Sequence, residues 1–200
     1  MPTITYYMTL NSPWSYLGSA KLAALAKQYG HTVDIKPTKY GVVFPQTGGL
    51  PLPKRAPARQ AYRLMELKRW REVRGLPLNI QPKHFPSDEA PGSRLLIAAK
   101  LQGKDAHTLA TEMGRAIWER EENLGEWSVI KAAAARAGLD ADAIKAAAPP
   151  DAELDKLHDD YTSEALAKGV FGAPTYYLES GEFFWGQDRL ELLERELKKG

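Results

Sequence analysis

Cysteine is absent from the 200-residue chain. No disulfide, thiolate metal site, cysteine nucleophile or redox pair can come from it, so any thiol chemistry must use a thiol that a ligand brings. Long apolar runs are missing as well. No stretch approaches the eighteen residues of a membrane-spanning helix, and the opening Met1-Pro2-Thr3-Ile4-Thr5-Tyr6-Tyr7 lacks the basic start and apolar run of a secretory leader. A cytoplasmic protein with no membrane partner is expected. Net charge is small too. With 27 Lys+Arg against 25 Asp+Glu the balance is +2, too little to draw nucleic acid or an acidic membrane to the whole molecule. His31, His84, His107 and His158 are scattered, and only His158 stands near carboxylates, Asp155 and Asp159, on what reads as a solvent face; no metal site is expected. Gly48-Gly49 is followed by prolines and lacks the Gly-Lys-Ser/Thr ending of a phosphate loop.

What is present suits an ordinary globular chain. A hydrophobic fraction of 44% in 22.2 kDa is enough to bury a self-sufficient core without a metal or disulfide staple.

Thr3 to Met8 reads as a strand, Asn11-Ser12-Pro13 interrupts it, and Leu17, Lys21, Leu22, Leu25 and Tyr29 follow at helical spacing up to Gly30. His31 to Ile35 is a second strand, so the opening is a βαβ unit with a parallel pair. Lys36 to Pro57, rich in Pro and Gly, reads as a long loop. Helices follow over Ala58–Arg74, Gly92–Gln102, Asp105–Arg120, Trp127–Ala137, Ala141–Ala148 and Asp151–Lys168. After Gly169 the period returns to two: Thr175 to Leu178, a Ser180-Gly181 turn of the two-residue hairpin kind, and Glu182 to Trp185. A last helix from Asp188 carries Leu190, Leu193 and Leu197 on one face. The expected fold is α/β, a thioredoxin-like fold with a large all-helical insertion between its βαβ and ββα halves. Residues 1–45 and 169–200 form the thioredoxin-like part, and 46–168 the helical insertion with its entry loop.

In such a fold the reactive pair sits at the start of the first helix, where unpaired N–H groups and the helix dipole favour a thiolate. Here that segment is Ser12-Pro13-Trp14-Ser15, serine at both ends. Ser12 is equally a good N-cap before a first-turn proline. Val170-Phe171-Gly172-Ala173-Pro174-Thr175 places a proline just before the hairpin, where these folds hold a cis-proline whose preceding residue offers its main chain to an extended peptide ligand. A strand-entry proline is the plainer alternative. Phe184-Trp185-Gly186-Gln187-Asp188-Arg189-Leu190 turns into the last helix, and Asp188 there is either a cap or an acid poised for a ligand ammonium.

Ser-Pro-Trp-Ser, Gly-Val-Phe-Gly-Ala-Pro-Thr and Phe-Trp-Gly-Gln-Asp-Arg-Leu, in this order, resemble the 2-hydroxychromene-2-carboxylate isomerase family, related to kappa-class glutathione transferases and bacterial disulfide oxidoreductases. The order matches over nearly the whole chain; the specific motifs lie at its two ends. The resemblance implies glutathione as cofactor. It implies that Ser12 stabilises the glutathione thiolate, that Ala173 and Pro174 present the main chain to its cysteinyl unit, and that Gln187 and Asp188 hold its γ-glutamyl end. Arg59 stands where relatives carry a lysine for a glutathione carboxylate, and the point charge becomes a planar fork. Gly48-Gly49 stands where kappa-class relatives tend to have an asparagine. A homodimer is also implied.

Residues 54–74 hold eight basic side chains, among them Arg55, Arg59, Arg63 and Arg74, against Glu66 and Glu72, a local net of +6 with −4 over the rest. A basic stripe of this kind suits an anionic ligand, and it equally suits a solvated helix face. Trp14, Lys36, Tyr40 and Phe171 are the expected substrate-side residues, with Lys39 beside them and Trp14 and Phe171 flanking an apolar pocket. The implied activity is glutathione-dependent cis–trans isomerisation of an aromatic keto acid. A kappa-type glutathione transferase or peroxidase and a non-catalytic thioredoxin-like binding module are the alternatives.

Overall fold

The computed structural model describes residues 1–199. Its frame is a four-stranded sheet in the order β2-β1-β3-β4, built from β1 (Thr3–Met8), β2 (Thr32–Pro37), β3 (Thr175–Leu178) and β4 (Phe183–Trp185). β1 and β2 are parallel, with Tyr6 opposite Ile35, and β3 runs antiparallel to both β1 and β4. Period two decides the faces. Ile4, Tyr6 and Met8 enter the main core, while Tyr7 points to the other face and packs with Ala165 and Val170.

The crossover from β1 to β2 is α1 (Pro13–Gln28), started by Ser12 as N-cap and Pro13 at the first position. Leu17, Leu22 and Leu25 are among its buried apolar residues. Gly18 lets this helix come close: a Cβ there would stand 2.5 Å from Tyr176 Oη and 2.9 Å from Gln187 Cβ. α1, β3 and the turn before the last helix thus meet at one residue without a side chain.

Between the halves lie α2 (Tyr40–Thr47), α3 (Pro57–Arg74), α4 (Ala90–Leu101), α5 (Ala106–Trp118), α6 (Trp127–Arg136), α7 (Ala141–Ala146) and α8 (Asp151–Ala167). α5 packs on α1, and α8 packs against both α4 and β2. Leu96, Ile97, Leu109, Met113, Ile117 and Trp118 from this block share a single core with Ile4, Leu17 and Leu22. After β4, a 3-10 turn (Gln187–Arg189) leads into α9 (Leu190–Leu197). Leu190, Leu193 and Leu197 are buried there as their spacing requires, roughly 2 kcal/mol of apolar burial each. The chain has a thioredoxin-like α/β fold with a helical block between its βαβ and ββα halves.

Two local expectations need correcting. The Lys36–Pro57 segment is not all loop: it contains α2, which ends on Gly48 at φ +76°, and a 3-10 turn at Leu52–Lys54. Burial of Tyr40 and Val43 holds α2 together although Pro45 inside it removes one hydrogen bond. The hairpin loop has three residues, Glu179-Ser180-Gly181, rather than two. Leu178 N–H donates to Glu182 O at 2.9 Å, and Gly181, at φ +90°, takes the left-handed position that closes such a loop.

Candidate active site

Strand order brings distant segments to one end of the sheet. Tyr7, near the end of β1, pairs with Thr175 at the start of β3, so the segment leaving β1 toward Ser12 lies beside the segment entering β3 from Ala173 and Pro174. Thr38 N–H donates to Met8 O at 2.8 Å, and Gly186 N–H to Pro174 O at 2.9 Å. The residues after β2 and after β4 therefore join the same end.

Ser12 is buried at the mouth of α1, and its Oγ accepts the Ser15 N–H at 3.1 Å. A hydroxyl that accepts can still donate. Its proton stays available, Pro13 has no N–H, and the Trp14 N–H bonds to no described residue. The helix start thus presents two open donors and the positive end of its dipole, an arrangement that favours an anion. The cap role and the ligand role of Ser12 are compatible. Asn11 is held by reciprocal bonds with the Ser87 backbone, at 2.9 and 3.0 Å. Glu89 accepts from the Thr9 hydroxyl and, at 3.1 Å, from the Asn11 N–H. Burial raises the Glu89 carboxyl above its ordinary value.

The Ala173-Pro174 bond is cis, as expected from sequence. Neither the N–H nor the C=O of Ala173 bonds to a described residue. Gly172 is pinned from two sides: its C=O accepts from the Tyr40 hydroxyl at 3.0 Å and from the Thr175 hydroxyl at 2.7 Å. Tyr40 is therefore buried support for the loop, with its phenol pushed well up by desolvation. This corrects its placement as a substrate-lining residue.

Gln187 also differs from expectation. Its amide turns inward, Oε1 accepting from Arg74 Nε at 2.7 Å while its backbone C=O accepts from Arg74 Nη2, also at 2.7 Å. What it can offer a ligand is its backbone N–H, which, like that of Asp188, bonds to no described residue. The Asp188 carboxylate stays at the surface with Arg189 at 2.7 Å. Arg59, on the first turn of α3, is exposed and pairs with no described acid.

The side chains of the other expected residues make contacts of their own. Lys36 is held between β2 and α8 by Glu164 at 2.6 Å and Asp34 at 3.5 Å, which removes it from the substrate side. Lys39 pairs with Asp159. Trp14 packs, partly buried, against the main core, whereas Phe171 is exposed against Trp185 and Phe183 near β4. His158, expected at the surface, is buried at 6% exposure, because α8 lies against α2, α4 and β2. Among the described residues no group of three or more His, Asp or Glu side chains gathers to hold a metal, and no described helix is long and apolar enough to cross a membrane.

Sequence reasoning missed Asn11, Ser87, Glu89 and the Arg74 clamp on Gln187. Their partners lie 76 to 113 residues apart, and no local pattern announces such pairs. Only the basic stripe pointed toward α3.

Residues 3–198 match the DSBA-like thioredoxin domain. The 2-hydroxychromene-2-carboxylate isomerase of Sphingobium xenophagum is 28% identical over 96% of this chain and 96% of that protein. Human glutathione S-transferase kappa 1 is 26% identical over 96% of this chain and 88% of that protein. A solved 2-hydroxychromene-2-carboxylate isomerase superposes with a TM-score of 0.80 at 26% identity, over 98% of this chain and 95% of that one. The chain belongs to the DSBA-like thioredoxin domain family, beside its 2-hydroxychromene-2-carboxylate isomerases and kappa-class glutathione transferases.

Proposed function

We propose that the protein is a cytoplasmic, homodimeric glutathione-dependent isomerase that converts an aromatic keto acid of the 2-hydroxychromene-2-carboxylate type to its trans-o-hydroxybenzylidenepyruvate form during aromatic hydrocarbon breakdown. The observation that carries this reading is a thiolate-favouring helix start, Ser12 with the free Trp14 N–H, at the same sheet end as the unpaired main chain of Ala173, in a chain with no thiol of its own. The names of the relatives support the reaction class.

The residues fit glutathione. Ala173 offers one N–H and one C=O in the manner of a strand edge, which suits a short extended peptide. The free N–H groups of Gln187 and Asp188 suit a carboxylate, and the Asp188 side chain suits an ammonium. Arg59 suits a second carboxylate. When bound, glutathione supplies a thiolate whose reversible addition makes the conjugated double bond single, so that it can rotate. The protein's part is to keep the sulfur ionised at neutral pH. A free thiol titrates near 8.5, and lowering it by about two units requires roughly 2.7 kcal/mol of preference for the anion. Ser12 Oγ–H and Trp14 N–H, neither of which has an acceptor among the described residues, support this role as donors.

Incubating the protein with catalytic glutathione and 2-hydroxychromene-2-carboxylate tests the reading. Many turnovers per glutathione are expected, with the thiol recovered; no turnover, or consumption of one glutathione per product, would sink it. The second outcome is the kappa-type transferase reading, which similarity to the human enzyme favours. Arg59→Ala is expected to weaken glutathione binding by only about 1 kcal/mol, because the side chain is exposed; calorimetric titration showing no change would return Arg59 to the solvated face. Sedimentation at micromolar concentration checks the dimer.

A further inference from the structure

Arg59 and Arg63 stand four residues apart on α3 and so share one side of it, and Arg55, in the extended approach to the helix, is near enough to repel both. None has a carboxylate partner among the described residues. The nearest acid on the helix, Glu66, is engaged by Arg69. Arg63 is the unusual member. It is half-buried, its guanidinium lies 5.7 Å from the centre of the Phe85 ring, and no described carbonyl or carboxylate accepts from it. Desolvation, with Arg55 adding repulsion, lowers its pKa to about 10. Arg55 repeats the pattern over Phe44 at 5.9 Å and bonds only the Leu50 carbonyl, at 2.8 Å.

A half-buried cation without a counter-charge is unfavourable in the free protein and is relieved when an anion arrives. A guanidinium fork takes a carboxylate through two parallel bonds, and the phenylalanine beside it offers a flat apolar surface. The position also connects to the candidate site. Phe85 packs at 4.9 Å on Trp118, whose indole reaches the Leu10 carbonyl, and two residues after Phe85 comes Ser87, which is clipped to Asn11 next to Ser12.

We propose that Arg63, with Arg55 beside it and Phe85 beneath it, anchors the carboxylate of an aryl acid, a contact made by side chains other than the Arg59 proposed for glutathione. That this acid is the one isomerised rests on the function proposed above; the aryl-carboxylate site itself does not.

The probes are trans-cinnamate and its neutral amide, titrated by tryptophan fluorescence, with glutathione titrated separately by calorimetry. In the wild type cinnamate should bind at least about tenfold tighter than the amide. Arg63→Met should bring the two within about twofold, leave glutathione affinity within about twofold of wild type, and leave the melting temperature unchanged or raised, since an unpaired half-buried charge is removed. Arg63→Lys should retain part of the preference. Equal binding of acid and amide by wild type, or a preference that survives Arg63→Met, would overturn the proposal. So would a glutathione affinity that falls in step, which would make Arg63 a glutathione contact. A wild type that shows the cinnamate preference, loses it in Arg63→Met and binds no glutathione would support the anchor and sink the isomerase reading.

Discussion

Ser12 caps α1, and the proposed function gives the same side chain a ligand to serve. Its oxygen lone pair caps α1 through the Ser15 N–H, and its proton remains for a second partner. Ser12→Ala should therefore have two separable consequences. Loss of the cap costs about 1 kcal/mol of stability. Loss of one hydrogen bond to an ionised sulfur, roughly 1.5 to 3 kcal/mol, raises the pKa of bound glutathione by about one to two units. Thiolate absorbance followed against pH, together with denaturation midpoints, measures both. A lower midpoint with an unchanged thiol pKa would leave Ser12 as a cap alone.

At the scale of elements, Gly18 is where α1, β3 and the turn before α9 converge. Gly18→Ala should cost about 1 to 3 kcal/mol by overpacking, because the Gln187 Cβ belongs to a buried turn that Arg74 holds from α3. Urea unfolding reads it, and a neutral result would mean that the turn can yield. α8 supports a pH prediction. Burial and the nearby Lys39 hold His158 at about 4, so the folded protein keeps it neutral while the unfolded chain takes up a proton below about 6.5. Stability is then lost as pH falls from about 6.5 toward 4, by up to about 3 kcal/mol.

Glu164, also on α8, adds a second acid step. Desolvation opposes its ionisation, but hydrogen bonds from Lys36, Tyr7 and Lys168 prevail and hold it at about 2. Its contribution is present above about 4.5 and lost as pH falls toward 2. Since the carboxylate is about one-third exposed, solvent screening limits that contribution to about 1 to 2 kcal/mol. His158→Gln should shrink the upper step, leaving the part that half-buried His107 adds, and Glu164→Gln should shrink the lower, measured as melting temperature against pH. Retention of both steps at full size in both variants would assign acid sensitivity elsewhere.

At the scale of the whole molecule, a chain without cysteine cannot be inactivated through its own thiols. Treatment with iodoacetamide followed by desalting should leave the glutathione-supported rate unchanged, whereas alkylated glutathione should support none. A rate that survives without free glutathione would overturn the proposed chemistry. Much of the fold was legible in residue order. Ser12-Pro13 started α1, period two marked β1 and β3, and Leu190, Leu193 and Leu197 marked α9, because each signal is a local match between side chain and backbone period. The Ala173-Pro174 position was equally local, and it pointed to the end of the sheet where the segment entering β3 lies beside the segment leaving β1 toward Ser12. Tertiary structure alone decided which polar groups face outward. Lys36, Tyr40, Gln187 and His158 all read as surface or site residues from their neighbours in sequence, yet Glu164, Gly172, Arg74 and the packing of α8 take them inward. Arg63, one basic residue among eight in its stripe, stands out only once the fold has brought Phe85 against it and no acid. The physical reason is range: backbone periodicity is written within a few residues, whereas charge pairing and burial depend on partners that only chain closure brings together.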